Sequence, residues 1–130
     1  MTETIQARTA AIPARYVAVW NEPDAATRRA AVAELWTPDA TEFVDGGTQH
    51  HGHEELAGRV TEAYEAFVGS GRFTVTGADD VTAHGDIVAF TLRLTTSDGE
   101  VGWAARVFLL LGEDGLIKED YQLTVQPLAA

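Results

Sequence analysis

Leu35-Trp36-Thr37-Pro38-Asp39-Ala40-Thr41-Glu42-Phe43-Val44-Asp45 is the stretch on which the fold turns. A helical pattern runs into it and a short β-like run leaves it. Thr37-Pro38-Asp39 marks the switch, because proline lacks the N–H that would continue a helix. Upstream, Tyr16-Val17-Ala18-Val19-Trp20-Asn21-Glu22-Pro23-Asp24 ends one helix and opens the next. Downstream come one more helical stretch and then strands alone. Helices first and long strands afterwards predict an α+β fold, a curved antiparallel sheet wrapped on three helices with an apolar pocket between the layers.

The periodicities fill in that outline. Ile12, Tyr16, Val19 and Trp20 recur at helical spacing and predict a helix over 12–21, with Pro13 in its first turn, or an earlier start with a kink at Pro13. Asp24 is the expected N-cap of a second helix over 25–36, with Val32, Leu35 and Trp36 on one face. A short strand is expected over 40–45, followed by a loop through Gly52. Leu56, Val60, Tyr64 and Phe67 make the stripe of a third helix over 53–68, with Glu54 and Glu55 where its dipole favours acids. Strands follow over 72–82, 86–96, 100–111 and 116–126. The last three are joined by the turns Ser97-Asp98-Gly99 and Glu113-Asp114-Gly115. Residues 1–11 read as a flexible segment, 12–126 as one domain and 127–130 as a tail.

The chain has 130 residues, enough for one domain with a core. A formal net charge of -11 with only 9 Lys and Arg leaves no basic patch for nucleic acid or an anionic membrane. There is no cysteine, hence no disulfide, thiolate ligand or thiol nucleophile. No stretch approaches the ~20 apolar residues of a membrane span, and the N-terminus lacks a signal-peptide run. The expected setting is a cytoplasm. The Ala, Val and Arg usage is of the kind found in GC-rich bacteria.

Several words in order resemble the nuclear-transport-factor-2-like superfamily, in its SnoaL-like branch. They are Tyr16 with Trp20-Asn21, Arg28-Arg29, Leu35-Trp36-Thr37-Pro38-Asp39-Ala40 and Gly52-His53-Glu54-Glu55-Leu56. Later come Ala83-His84-Gly85-Asp86, Val88-Ala89-Phe90-Thr91-Leu92 and Glu113-Asp114-Gly115-Leu116-Ile117. The resemblance covers about Ile12 to Val125. It implies a cone-shaped cystatin-like α+β barrel that often dimerises through its sheet face. Such folds serve polyketide cyclases, ketosteroid isomerases and epoxide hydrolases, and also binding modules without chemistry. Fold alone does not choose among them. Nuclear transport itself finds no support in this acidic chain beyond the fold.

The resemblance also nominates residues. Tyr16 matches a tyrosine that donates to a substrate oxyanion in the isomerases, set against a core aromatic bonded to a carbonyl. Asp45 lies near the isomerase base, set against a turn aspartate before Gly46-Gly47. The isomerases' second acid has no counterpart, since no carboxylate lies between Val101 and Gly112. That argues against steroid isomerisation. Arg106 shares parity with Phe108 and Leu110. An inward Arg needs a partner, and Asp120 on the next strand is the expected one, with Gln122 on the same face as Asp120. The alternative is an Arg106–Asp120 pair at the surface or a dimer interface. Tyr16, Arg106 and Asp120 are thus the expected catalytic set. Trp36, Phe43, His50, Tyr64, Phe90, Leu92, Trp103 and Gln122 are the expected pocket residues, with Leu92 small enough to widen the cavity or leave it to Trp103. His50, His51 and His53 lack further ligands for a metal and read as a solvated loop, with His50 able to reach the pocket mouth; His84 reads as a turn residue. No metal or cofactor is expected. The function so implied is binding of a small apolar or polycyclic molecule, with an acid–base cyclisation, isomerisation or hydration. A non-catalytic binding or dimerisation module is the alternative.

Overall fold

The structure, a computed structural model, describes residues 2–128, and side-chain surroundings from residue 11 onward. Helix α1 spans Thr2–Asn21 with Pro13 inside it, so it starts well before residue 12. Helix α2 spans Ala25–Leu35. Asp24 caps it as expected, its carboxylate accepting from the Thr27 backbone N–H at 2.9 Å. Trp36 does not end that helix but opens strand β1, Trp36–Val44. Its backbone is already extended, and Pro38 biases the residue before it the same way.

The segment expected to be a loop after β1 is partly a strand. Asp45–Gly47 forms one tight turn, in which Gly46 and Gly47 hold φ of 82° and 85°. Only glycine takes that region freely. Thr48–His51 then returns as β2, antiparallel to β1. Four polar residues carry no alternation, so nothing in the pattern marked them as a strand.

Helix α3 spans Gly52–Ala63 and widens into a π-helical turn over Tyr64–Val68. The expected strand over 72–82 is two short ones, β3 (Thr74–Gly77) and β4 (Thr82–His84). Both pair with β5, Ile87–Thr95. Between them Asp80 takes a strand partner's place, accepting from the Thr91 N–H at 3.0 Å and from the Thr91 hydroxyl at 2.6 Å. β6 (Val101–Leu111) and β7 (Ile117–Gln126) complete the chain. Gly99 and Gly115 take φ of 88° and 80° in the two expected hairpin turns.

The strands form one curved sheet in the order β2-β1-β7-β6-β5-β3, with β4 also on β5. Neighbours are antiparallel except β1 beside β7, which run parallel, so the sheet is mixed. That one parallel pairing positions the site, because it sets Glu42 beside Asp120 and Val44 beside Gln122.

The inner sheet face buries Val88, Phe90, Leu92, Val107 and Leu109 against Tyr16, Val19, Val32, Leu35, Leu56 and Val60 of the helices. Each such side chain contributes roughly 1.5–3 kcal/mol on burial. The outer face holds Arg106, Phe108, Tyr121 and Leu123, partly or wholly exposed. Among the described residues no helix is long and apolar enough to cross a membrane.

Candidate functional site

Four polar side chains lie in the core where the inner sheet face meets α1. Tyr16, Glu42 and Asp120 have no exposure and Gln122 has 2%. Tyr16 comes from α1, Glu42 from β1, and Asp120 and Gln122 from alternate positions of β7, which point to one face. The Tyr16 hydroxyl donates to Asp120 Oδ1 at 3.2 Å and accepts from Gln122 Nε2 at 2.6 Å. Phe90 packs edge-on against the Tyr16 ring, with Trp20 and Trp36 on its other sides, so the hydroxyl is held in one place.

Arg59 of α3 closes the cluster. Its Nε donates to Glu42 Oε1 at 3.3 Å, and its side chain keeps 23% exposure. Glu42 Oε2 and Asp120 Oδ2 are buried with no hydrogen-bond partner. Two carboxyls, neighbours across a ladder and stripped of water, cannot both carry full charge cheaply. Burial, and then the charge of Glu42, push the Asp120 carboxyl well above the carboxylate range, against the pull of the Tyr16 hydrogen bond. The Trp36 indole N–H is near enough to pull the same way as Tyr16, but its geometry makes no hydrogen bond. Burial raises Glu42 as well, and Arg59 offsets part of that. The consistent assignment is an ionised Glu42 on Arg59 and a neutral Asp120. Burial and the two carboxyls raise Tyr16 well above its ordinary value, so it stays a donor.

A cavity of about 220 Å³ adjoins this cluster. Its wall is mostly apolar, from Trp20, Phe67, Val75, Leu92, Leu94 and Trp103 among others. Arg59 and Ala63, four residues apart on one face of α3, reach it together with Phe67 of the π-helical turn that follows. Gln122, Arg59, Asp45 and Thr124 are the polar residues on the wall. Gln122 therefore links the cavity to the buried acid through Tyr16.

Of the expected catalytic set, Tyr16 and Asp120 come together and Arg106 does not. Arg106 is opposite Leu123 on β7, whereas Asp120 is opposite Leu109. The two residues thus lie on opposite faces of the sheet. Arg106 instead meets Asp80 at 3.0 Å on the outer side, both side chains partly exposed. The cation of the site is Arg59. Leu92, Trp103 and Gln122 line the cavity as expected. Trp36 and Phe90 are fully buried behind it, against Tyr16. Phe43 is turned outward, stacked on Tyr121 with centroids 4.8 Å apart, because Glu42 takes the inward parity of β1. Tyr64 lies outside the wall, beneath the Arg28 guanidinium at 4.7 Å.

His50 sits opposite Glu42 on β2, half-buried, and partial burial with the Arg59 charge lowers its pKa. It is not part of the cavity wall. His51 shares a hydrogen bond with the Thr41 hydroxyl at 2.8 Å, and His53 Nε2 donates to the Trp36 carbonyl at 2.7 Å. His51 and His53 thus serve local structure. His84 ends β4, at the turn into β5. Asp45 both opens its turn and lines the cavity mouth, with Oδ2 accepting from the Thr124 N–H at 2.9 Å.

Glu42 and Arg59 were missed from the sequence. The signal for Glu42 was parity, since Ala40 and Glu42 alternate with Thr41 and Phe43. The signal for Arg59 was its place three residues after Leu56, at the edge of the apolar stripe.

Comparisons with known proteins agree with this architecture. No curated protein matches the sequence. A candidate isomerase of the SnoaL-like family from Agrobacterium tumefaciens superposes with a TM-score of 0.81 at 23% identity, over 91% of this chain and 97% of that one. A candidate SnoaL-like polyketide cyclase from Jannaschia sp. CCS1 gives 0.62 at 21% identity, over 75% and 72%. A protein of ketosteroid-isomerase-like fold from Catenulispora acidiphila, in complex with trimethylamine, gives 0.64 at 17%, over 85% and 82%. At these identities the structures speak for the fold. The profile of the SnoaL-like domain matches residues 14–120, from before Tyr16 through Asp120. The chain belongs to the SnoaL-like family.

Proposed function

We propose that this chain binds a small, mostly apolar molecule in the cavity beside Gln122 and Arg59, and acts on it by acid–base chemistry with Asp120 as the proton reservoir. The observation that carries the reading is the hydrogen-bond chain from the cavity wall to a buried carboxyl, Gln122 to Tyr16 to Asp120. A carboxyl held well above the ordinary carboxylate range is a proton donor in waiting. The chain can run either way. A half-turn of the Gln122 amide lets Asp120 donate to Tyr16 and Tyr16 donate outward. When Gln122 swings aside and a ligand oxygen takes its place against the Tyr16 hydroxyl, Tyr16 gives its proton to that oxygen and takes the Asp120 proton in return, leaving Asp120 as the carboxylate. Cyclisation, isomerisation and hydration all need such a transfer.

At about 220 Å³ the cavity is below the ~300 Å³ at which drug-sized sites begin, so a compact ligand fits better than a polycyclic one. The outer sheet face, with its Phe43–Tyr121 stack and exposed Leu123, supports a homodimer through that face. The acidic, cysteine-free sequence fits the reducing cytoplasm of a bacterium.

The test is a panel of small cyclic ketones, epoxides and unsaturated esters, followed by chromatography of products. Turnover of one class, reduced ~10²–10⁴-fold in Asp120→Asn with binding retained, is the expected result. Binding without turnover, unchanged in Asp120→Asn, would leave a binding module. No binding at all would contradict the reading.

A further inference from the structure

The polar groups on the cavity wall differ in how much of their bonding capacity is used. Arg59 offers five N–H donors, yet only Nε is engaged, with Glu42 at 3.3 Å. Its terminal nitrogens make no hydrogen bond to the described residues, and the side chain lines the cavity. The guanidinium lies over the Trp20 ring, 5.4 Å from its centroid. Trp20 also lines the cavity, is 4% exposed, and has an indole N–H with no partner. A guanidinium with unengaged terminal nitrogens therefore lies on the wall of a mostly apolar cavity, over the face of Trp20. Among the described residues the one acid on the wall, Asp45, is exposed at the mouth and already accepts from the Thr124 N–H. Water and salt screen it there.

Resting on the ligand-binding reading above, we propose that the cavity selects an apolar molecule ending in a carboxylate, which the Arg59 guanidinium holds. A carboxylate accepts two parallel N–H bonds from a guanidinium, and charge-assisted bonds are about twice as strong as neutral ones. Glu42 serves as the positioning residue. It holds Nε and so fixes the plane of the fork, leaving the outer edge for the ligand. Gln122, with the buried acid behind it, shares the cavity wall with Arg59. Substrates of this site are then small apolar acids rather than neutral ketones or amines.

Calorimetry at neutral pH with three compact probes of one shape tests this: benzoate, benzamide and benzylamine. Benzoate is expected to bind at least ~10-fold more tightly than benzamide, and benzylamine more weakly still. Arg59→Lys keeps the charge but not the fork, and is expected to retain only part of the preference. Arg59→Met alone leaves Glu42 buried without a cation and could unfold the chain. The double variant Arg59→Met with Glu42→Gln avoids that, and is expected to bind benzoate and benzamide equally. Equal binding of these two by the unmodified protein, or tighter binding of the amine, overturns the carboxylate proposal while leaving the cavity a ligand site. Failure of all three probes overturns the ligand-binding reading as well.

Discussion

At Asp120, burial outweighs a hydroxyl partner, and stability records the difference. The raised carboxyl keeps its proton in the folded chain at pH values where the unfolded chain, near the ordinary value of 3.8, has lost it. The folded state then binds more protons, so stability falls as pH rises through that window. Asp120→Asn cannot titrate. Urea unfolding across the acid-to-neutral range is expected to show a shallower decline in Asp120→Asn than in the unmodified protein. Equal slopes would mean that Asp120 ionises normally. Arg59 and Glu42 give an asymmetric pair of variants. Arg59→Ala strands a fully buried Glu42, which costs about 3–5 kcal/mol while Glu42 stays charged. Because Glu42 escapes that cost by taking a proton, the loss should grow as pH rises. Glu42→Gln leaves an Arg59 that still reaches solvent, and should cost about 1 kcal/mol. The same unfolding measurements check both.

Among the elements, two glycines predict opposite outcomes. A Cβ at Gly102 on β6 would meet the Phe73 ring at 2.5 Å, so Gly102→Ala should destabilise by about 1–3 kcal/mol through overpacking. A Cβ at Gly58 in α3 would meet nothing within 4 Å, so Gly58→Ala should stabilise by about 0.5–1 kcal/mol from helix propensity alone. Melting temperatures of the two variants should move in opposite directions. Where the sequence was legible, it was through such element-level signals. Asp24 capping α2 and the turns at Gly99 and Gly115 follow from local chemistry, and the alternation of Val107 and Leu109 with Arg106 and Phe108 shows two faces. Parity separates the faces but does not say which one looks inward, and so Arg106 was expected in the pocket. The inward choice comes from the β1–β7 pairing and from register shifts in β6–β7, one of which turns Ile117 inward beside Leu111. Both are long-range features that no local pattern encodes. Glu42 stayed hidden for the same reason: its neighbour Asp120 is far away in sequence and next to it only across the parallel ladder.

Over the whole molecule, the two sides of the sheet have different uses. The inner side holds the core, the cavity and the buried acid. The outer side exposes Ile87, Leu123 and Val125 beside the Phe43–Tyr121 stack. Light scattering is expected to find a dimer, and Leu123→Glu, at a half-exposed position of the outer face, is expected to give a folded monomer. A monomeric unmodified protein would remove the dimer from the account. Among the described carboxyls the structure singles out Asp120 as held well above the carboxylate range. Carbon-13 NMR of the side-chain carboxyls, followed through a pH titration with Asp120→Asn as the assignment control, reads its proton directly. The expected titration contains one carboxyl signal that keeps its proton well above the ordinary carboxylate range, absent from the variant. A spectrum in which every carboxyl has ionised within the ordinary range would contradict the acid–base role of Asp120.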